Sequence, residues 1–513
     1  MIADRRTVAT GLIGTLAALF PFPAHARTIV DVRRFGAAGD GVRLDTDAIN
    51  RAIAAVSRAG GGTVRLTAGR YLSFSIRLRD NVTLLIDRGA TLQAADPAVH
   101  AGRYDLPEPN RHDLYQDFGH SHWHNSLIWG DGVRNVAILG PGTIDGRGLT
   151  RNGPGARWRK GTGERPLSMR QMSRAEIDRL EPDARAMDGL GNKAIALKNA
   201  RNVRLADLTI RDGGHFAVLA TGVDDMAIER LTIDTQRDGI DLDCVRRVRV
   251  TGCTVNTPND DAIVLKSSWA LGETRPSEDV LIADCRVSGY DPGTLLDGRR
   301  LRTQAVAPDR DRVTGRIKLG TESTGGYRNV TIRDCRFDRC RGLALEAVDG
   351  GIMEDIAISG LRMHEVTTAP LFVRLGDRRR GPDGTGIGAV RRIAIRDVTA
   401  TGIDHRYAAT LAGLAGNPVT DIALSDVRLV YAGGGTAADA ARAIPDVADA
   451  YPEPSMFGVS PAWGLFARHV RGLDVRALTL ETATPDARPP ILLADVAGAT
   501  ALATPRWSDR IVR

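Results

Sequence analysis

Three aspartates in two short segments have the residue types and the spacing for acid and base chemistry. Asp238 lies in the Arg-Asp-Gly-Ile-Asp segment 237–241, and Asp260 and Asp261 open the segment 260–266. Asp238 and Asp260 are 22 residues apart, about one turn of a β-solenoid whose neighbouring strands lie roughly 4.8 Å apart. Carboxylates held so close raise the pKa of one and leave another ionised, as acid/base cleavage of a glycosidic bond requires. The alternative is a set of turn residues at coil corners.

A repeated pattern predicts the elements that would position these aspartates. The order apolar-x-apolar-x-x-apolar-x-apolar occupies 203–210, 226–233, 248–255, 280–287 and 330–337, and it begins again at Ile356, Ile393, Ile422 and Leu473. Self-similar β-branched segments without helical periodicity indicate a stacked array of strands. We therefore predict an all-β protein, a right-handed parallel β-helix. A propeller or sandwich of hairpins fits less well, because Asn-Gly or Asp-Gly pairs do not recur between the segments.

The cysteines agree with a stacked core. Cys253, Cys285 and Cys335 occupy the sixth position of the pattern, where other repeats have leucine or valine. A free cysteine behaves as a small buried hydrophobe, so core packing is the favoured interpretation over redox or metal chemistry.

The N-terminus indicates export. Arg5 and Arg6 precede an apolar stretch over 8–22, which is followed by the small-residue site Ala24-His25-Ala26. This pattern predicts a signal peptide over 1–26, with the twin-arginine and the general route both open. We expect 27–513 to form one β-helix domain, periplasmic or secreted, with no membrane association after the signal is removed.

Other segments are expected to cap and enclose the solenoid. The stretch from Thr46 to Ala59 has helical character and would cover the open N-terminal end. Polar insertions at 98–126, 150–191 and 288–312 would leave the coils as loops and wall off a pocket. Exo action on oligosaccharides is therefore the favoured expectation.

Composition limits the classes of partner. The formal charge of +7 and the pI near 9.4 permit an acidic polysaccharide, but the basic residues form no stripe of the nucleic-acid-binding type. We expect no nucleic acid partner, no cofactor and a monomer.

Three segments together resemble a known family. Residues 32–41 (Val-Arg-Arg-Phe-Gly-Ala-Ala-Gly-Asp-Gly), 237–241 and 260–267 resemble glycoside hydrolase family 28, the polygalacturonase group of pectin-cleaving enzymes on the pectate-lyase-like solenoid. The resemblance implies that Asp260 is the general acid and that Asp238 and Asp261 activate water. It implies inversion without a metal, and in inverting enzymes the carboxyl groups stand about 6.5 to 9.5 Å apart. The implied substrate is plant cell-wall pectic polysaccharide or oligosaccharide, of galacturonan or rhamnogalacturonan type.

The chain departs from the family at the positions that bind the substrate carboxylate. The family's Gly-His-Gly segment aligns with 314–316, and its Arg-Ile-Lys aligns with 344–346, which reads Ala-Leu-Glu; the literal Arg-Ile-Lys at 316–318 lies one coil earlier. Glu346, near Asp349, would oppose a uronate carboxylate, because an unpaired buried anion is costly. A rhamnose-containing substrate fits this change better, although Lys318 or Arg374 could supply a cation.

Further residues are candidates for substrate binding. His122 and His124, with His120, alternate as on one face of a strand, and a sugar-binding rim is favoured there over a zinc site. His215 stands one coil before Asp238, with a structural histidine as the equal alternative. The complete predicted binding set is His122, His124, His215, Lys266, Lys318, Glu322, Glu346, Asp349 and Arg374.

Two other function classes stay open at this point. A polysaccharide lyase on the same solenoid would need calcium and a Lys or Arg base, and Asp260 and Asp261 with Lys266 or Lys318 could be assigned those roles. A non-catalytic carbohydrate-binding β-helix would need no acids. Fold alone does not separate these classes.

Overall fold

The computed structural model describes residues 28–157 and 165–500 and the backbone of 511–512. The predicted signal peptide over 1–26 lies outside the described residues. The described residues form a right-handed parallel β-helix, which confirms the predicted fold class. Its 34 strands, numbered along the chain, all belong to one continuous sheet that winds around the core.

Three faces make up each coil. The front face consists of β5 (Ile76–Arg77), β8 (Ile128–Asp131), β11 (Lys193–Lys198), β14 (Phe216–Thr221), β17 (Asp238–Asp243), β20 (Ile263–Ser267), β23 (Ile317–Ser323), β26 (Leu343–Ala347), β28 (Leu371–Leu375), β30 (Ala409–Ala412), β33 (Ile491–Ala497) and β34 (Ile511–Val512). The second face consists of β1 (Ile29–Asp31), β3 (Gly62–Leu66), β6 (Val82–Ile86), β9 (Arg134–Leu139), β12 (Arg201–Ala206), β15 (Asp224–Glu229), β18 (Arg246–Thr251), β21 (Ser277–Ala283) and β24 (Tyr327–Arg333). The third face consists of β2 (Asp40–Leu44), β4 (Gly69–Ser73), β7 (Ala90–Ala94), β10 (Thr143–Asp145), β13 (Thr209–Arg211), β16 (Thr232–Asp234), β19 (Thr254–Asn256), β22 (Arg286–Ser288) and β25 (Arg336–Asp338).

In the C-terminal coils the faces merge into longer strands. These are β27 (Ile352–His364), β29 (Ala389–Ile403), β31 (Val419–Tyr431) and β32 (Leu465–Thr482). Each front-face strand pairs in parallel with the front-face strand of the next coil. Equivalent front-face residues of successive coils therefore stack on one another.

The predicted capping helix is present. Helix α1 (Thr46–Arg58) buries Ile49, Ala52, Ile53 and Val56 against the N-terminal end of the solenoid, which covers the apolar core there. The other helices are short: α2 (Phe118–Ser121), α3 (Arg174–Leu180) and α4 (Ala437–Ala440). Among the described residues no helix has both the length and the apolar character needed to cross a lipid bilayer.

The interior is an apolar stack that runs the length of the solenoid. Cys253, Cys285, Cys335 and Cys340 are buried in it without disulfide partners, and Cys244 is buried and free elsewhere. Four long connections leave the coils: the first connection at 95–127, the second at 146–192, the third at 289–316 and the fourth at 432–464. The fourth is not among the insertions predicted from the sequence.

Candidate active site

A cleft of about 480 Å³ opens on the front face where β17, β20 and β23 begin. Strands and the turns before them contribute His215, Arg237, Asp238, Asn259, Asp260, Asp261, Lys266, Arg316, Lys318 and Glu322. Connections contribute Asp117, His120, Gly153, Arg165, Glu181, Asp309, Arg341, Arg380, Tyr451 and Glu453. The cleft is therefore built by rigid strands below and by loops above.

The three aspartates lie together in the cleft. Ile240 pairs with Ile263 in the parallel register, which brings Asp238 level with Asp261 and leaves Asp260 one residue before it. The true coil length here is thus one residue longer than the spacing of Asp238 and Asp260. One oxygen from each of the three carboxylates lies within 4.8 Å of the others, a shorter separation than the 6.5 to 9.5 Å typical of inverting carboxyl groups.

Different surroundings separate the three carboxylates electrostatically. Burial, and then the neighbouring Asp260, raises the pKa of Asp238 well above its usual value. Burial also opposes ionisation of Asp261, but Lys318 and Arg316 together hold the pKa of that carboxyl below its usual value. Of these two carboxyl groups, Asp238 therefore holds a proton and Asp261 stays ionised.

Asp260 is held by Arg237, the residue that precedes Asp238 in the chain. The Arg237 guanidinium donates from Nε at 3.1 Å and from a terminal nitrogen at 2.7 Å to Oδ2 of Asp260. The Asp261 backbone N–H donates to Oδ1 of Asp260 at 3.1 Å. Asp260 retains about a quarter of its side-chain exposure, so it is the member of the trio that faces the open cleft.

Arg316 links the trio to the fourth connection. Its Nε donates to Asp261 at 2.8 Å, and its two terminal nitrogens donate to Glu453 at 3.1 and 2.6 Å. Glu453 also accepts from Arg341 at 2.9 Å, and Arg341 in turn pairs with Asp309 of the third connection at 2.7 Å. This buried chain of charges fixes the position of Asp261 from two sides.

A second buried chain supports the other side of the trio. The Lys266 Nζ donates to Glu322 at 2.9 Å and lies 3.7 Å from Asp241. Asp241 also contacts His120 Nε2 at 2.9 Å. Although burial opposes it, Lys266 and Arg378 hold the pKa of Glu322 well below its usual value, so Glu322 stays ionised beside Lys266.

His215 differs from the other cleft residues because its ring is uncommitted. The ring is 2% exposed, stacks on Phe216 with centroids 4.4 Å apart, and has no hydrogen-bond partner at either nitrogen within the described part of the chain. Burial, with nearby cations such as Arg237, lowers the pKa of His215 well below its usual value. The imidazole is therefore neutral.

Five residues of the predicted binding set lie away from the cleft lining: His122, His124, Glu346, Asp349 and Arg374. Glu346 is fully buried behind Lys318, 3.6 Å from its Nζ. Asp349 is paired with Arg378. Arg374 donates to the backbone carbonyls of Gly413 and Val447. Glu346 is therefore not an unpaired anion, because Lys318 accompanies it.

The three histidines of the first connection do not alternate along a strand, contrary to the sequence interpretation. His120 lies within α2, and His122 follows the end of that helix and stacks on Phe118 with centroids 4.1 Å apart. His124 stacks on Trp129 at 3.9 Å. The helical turn Phe118–Ser121 directs the rings to different neighbours, so only His120 reaches the cleft.

Two groups of side chains in the cleft could hold a metal by proximity alone. They are Asp238 with Asp260 and Asp261, and Asp238 with His120 and Asp241. Three of these carboxylates, Asp260, Asp261 and Asp241, already pair with Arg237, Arg316 and Lys266 respectively. A divalent ion would have to compete with these cations, so the donor set fits side-chain charge compensation better than a metal centre.

The state of Glu346 leads to a stability prediction. Burial raises the pKa of Glu346 to about 7, whereas glutamate in an unfolded chain titrates near 4.3. Because the unfolded chain releases this proton first, the stability that Glu346 contributes is complete below about pH 4 and is lost as the pH rises through the folded pKa. The free energy of unfolding of Glu346→Gln, relative to that of wild type, should therefore increase by on the order of 1 to 3 kcal/mol when the pH rises from 4.5 to 7.5. Chemical denaturation at the two pH values measures this, and an equal difference at both would contradict it.

Some cleft residues were missed by the sequence analysis. Arg237 stood beside Asp238 in the motif itself, and only its neighbour was considered. Tyr451 and Glu453 come from the fourth connection, which carries no repeat pattern. Arg341 precedes the front-face strand β26 and Arg380 follows the front-face strand β28, and both side chains line the cleft from these later coils.

Comparisons with known proteins agree with this architecture. A family model described as rhamnogalacturonase A/epimerase, pectate lyase-like, matches residues 29–263. A probable polygalacturonase of Vitis vinifera is 25% identical over 426 residues, covering 79% of this chain and 74% of the relative. An endo-polygalacturonase of Pectobacterium parmentieri is 23% identical over 353 residues, covering 66% and 74%.

Solved structures show the same fold at low identity. An exopolygalacturonase from Thermotoga maritima superposes with a TM-score of 0.61 at 20% identity, covering 88% of this chain and 92% of its own. A family 28 exopolygalacturonase from Yersinia enterocolitica superposes with a TM-score of 0.65 at 17% identity, covering 93% and 78%. The chain is thus similar at low identity to polygalacturonases, and it shares their parallel β-helix fold.

Proposed function

We propose that this protein is an exported hydrolase that cleaves glycosidic bonds in pectic oligosaccharides of galacturonan or rhamnogalacturonan type, by an inverting acid/base mechanism without a metal. The observation that carries the proposal is the aspartate trio, with oxygens within 4.8 Å of one another, in a cleft lined with cations. Carboxyl groups with divergent pKa values are the machinery of glycoside hydrolysis.

In the proposed mechanism Asp260 protonates the leaving oxygen, and Asp238 and Asp261 activate the attacking water. In the free cleft Arg237 pairs with Asp260, while Asp238 has the raised pKa. A substrate carboxylate that attracts Arg237 away from Asp260 would let the proton held by Asp238 pass to Asp260, whose nearest oxygen lies within 4.8 Å. Binding of an acidic sugar would thus prepare the acid and free Asp238 to activate water.

The charge of the cleft supports a substrate that contains uronate. Seven basic side chains line it: Arg165, Arg237, Lys266, Arg316, Lys318, Arg341 and Arg380. Acidic partners neutralise most of these charges, so a substrate carboxylate would exchange with one of them rather than meet a free cation. Galacturonan and rhamnogalacturonan backbones both carry galacturonate. Because Glu346 lies behind Lys318 and not in the cleft lining, it no longer favours a rhamnose-containing substrate over galacturonan.

Apolar contacts on both sides of the cleft support exo action. Towards the N-terminus, Trp123 of the first connection packs on the front-face residues Phe216 and Leu219. Towards the C-terminus, Met456 and Phe457 of the fourth connection pack with residues of β26, β28 and β30. A long polysaccharide could not lie along the front face past these covers, so the chain end must enter the cleft from above.

The proposal is tested by incubating the purified mature protein with a panel of defined oligogalacturonates and rhamnogalacturonan oligosaccharides. Mass spectrometry identifies the products, and NMR within the first minutes reads the anomer that forms first. We expect saturated products one or two sugars long released from one end, with the inverted anomer, at equal rates with and without chelator. A retained anomer would overturn the inverting mechanism. This readout is the most critical one, because the carboxylates lie closer together than is typical of inverting enzymes.

The same assay separates the other two function classes. A polysaccharide lyase would produce unsaturated sugars that absorb in the ultraviolet and would lose activity with chelator. A carbohydrate-binding β-helix would migrate more slowly in a native gel that contains pectic polysaccharide and would form no product. Either result would replace hydrolysis as the function of the cleft.

A further inference from the structure

The wall of the cleft beside His215 contains a small polar niche. Gly153 of the second connection lines the cleft next to His215. A Cβ placed on Gly153 would lie 3.5 Å from Nδ1 of His215 and 3.7 Å from Nδ2 of Asn192. Because Gly153 has no side chain, both nitrogens border a common space that no side chain of the described residues fills. We call these three residues, Gly153, Asn192 and His215, the niche.

Both nitrogens of the niche lack a partner within the described residues. Asn192 is fully buried and His215 is 2% exposed. Buried polar groups are nearly always hydrogen-bonded, and leaving one unpaired is costly. Two such groups directed at one empty position therefore indicate a ligand group that binds there.

The orientation of each group is fixed by its neighbours. The Asn192 Oδ1 accepts from the Asn125 side-chain amide at 3.2 Å and from Lys193, which leaves Nδ2 as a free donor. The His215 backbone N–H donates to the Asn192 carbonyl at 2.8 Å, and the ring stacks on Phe216. The niche is thus preorganised before any ligand arrives.

We propose that the niche binds a hydroxyl group of the sugar that occupies the cleft, and that it is a specificity-determining element of this enzyme. With the imidazole proton on Nε2, a hydroxyl can accept from Nδ2 of Asn192 while it donates its proton to Nδ1 of His215. A carboxylate can only accept, so in this tautomer it would face the lone pair of Nδ1. The niche therefore selects a neutral hydroxyl and directs the substrate carboxylate elsewhere, towards the cations. This inference rests on the proposed function.

Gly153→Ala is the sharpest test, because it adds one methyl group to the niche and nothing else. The nearest atoms to the new Cβ are at ordinary van der Waals distance, and the backbone of Gly153 is not in the left-handed region, so folding should be preserved. With trigalacturonate and a rhamnogalacturonan tetrasaccharide as probes, KM should rise about tenfold with kcat within about twofold of wild type. His215→Leu should produce the same change through loss of the acceptor. Gly386→Ala, whose Cβ meets no atom within 4 Å, is the matched control and should behave as wild type.

An unchanged KM in Gly153→Ala and His215→Leu would overturn the niche while leaving hydrolysis in place. If the wild-type protein cleaves neither probe, the proposed function fails separately, and saturation-transfer NMR with galacturonate and with galactose then decides the niche. A signal in wild type that Gly153→Ala abolishes would support it. An equal signal in both proteins, or none in wild type, would overturn it.

Discussion

Asp260→Asn is expected to lower kcat on the preferred pectic oligosaccharide by about 10² to 10⁴, the usual contribution of general acid catalysis. The asparagine side chain has the same shape, and a quarter of the Asp260 side chain is exposed, so the midpoint of thermal unfolding should change little. The loss should be much smaller on an aryl galacturonide, because a good leaving group needs little protonation. Initial rates on both substrates measure the ratio.

A matched control exists on the opposite side of the solenoid. Asp207 forms a comparable pair with Arg230, at 2.7 and 2.9 Å, far from the cleft lining. Asp207→Asn removes the same kind of charge and should leave kcat unchanged. More than about a tenth of wild-type activity in Asp260→Asn would show that Asp260 is not the acid. Asp238→Asn should lose activity by the same factor on both substrates, because Asp238 is proposed to activate water. If the aryl leaving group instead restored the activity of Asp238→Asn, Asp238 would be the acid.

The fold was predictable because the sequence of a solenoid repeats with the period of its coils. Each coil buries the same apolar positions, so the pattern at 203–210 recurs along the chain and predicts stacked parallel strands. The aspartate trio was predicted as one surface for the same reason. The register differed by one residue, because the residues between β16 and β17 and those between β19 and β20 form turns of unequal length, and turns carry no repeat.

The surroundings of the trio were less predictable because long connections build them. Glu453 reaches Arg316 from 137 residues away, and no local pattern indicates such a contact. The fourth connection also covers β26 and β28 through Met456 and Phe457, which ends the cleft before Glu346. Sequence position alone placed Glu346 among the substrate-binding residues, whereas the covered surface buries it behind Lys318.

The niche illustrates the same limit at smaller scale. His215 could be placed near Asp238 from coil spacing, but its meaning depends on Gly153 and Asn192, which lie in different segments. Only the arrangement in space shows that an absent Cβ leaves two polar nitrogens facing one position. A glycine in a loop is otherwise unremarkable in a chain with 56 of them.

Arg316→Met is expected to destabilise the protein by about 3 to 5 kcal/mol at neutral pH, because it leaves two buried carboxylates without their shared cation. Arg316 is 2% exposed, and it joins Asp261 at 2.8 Å to Glu453 at 2.6 Å. Urea denaturation measures the loss. Arg328→Met removes an exposed arginine that pairs with Glu354 at 3.1 Å, and this matched control should cost less than about 1 kcal/mol.

The pH dependence of the Arg316→Met effect follows from the lowered pKa of Asp261. An aspartate whose folded pKa is lowered contributes stability above the unfolded value, about 3.9, and loses it as the pH falls through the folded value. The destabilisation by Arg316→Met should therefore be largest between about pH 6 and 8 and should shrink towards pH 3. Activity provides an independent readout, since a higher pKa for Asp261 moves the acid limb of the kcat profile to higher pH. An unchanged unfolding free energy together with an unchanged acid limb would show that Arg316 does not hold Asp261 ionised, and would leave that role to Lys318, 3.3 Å from Asp261.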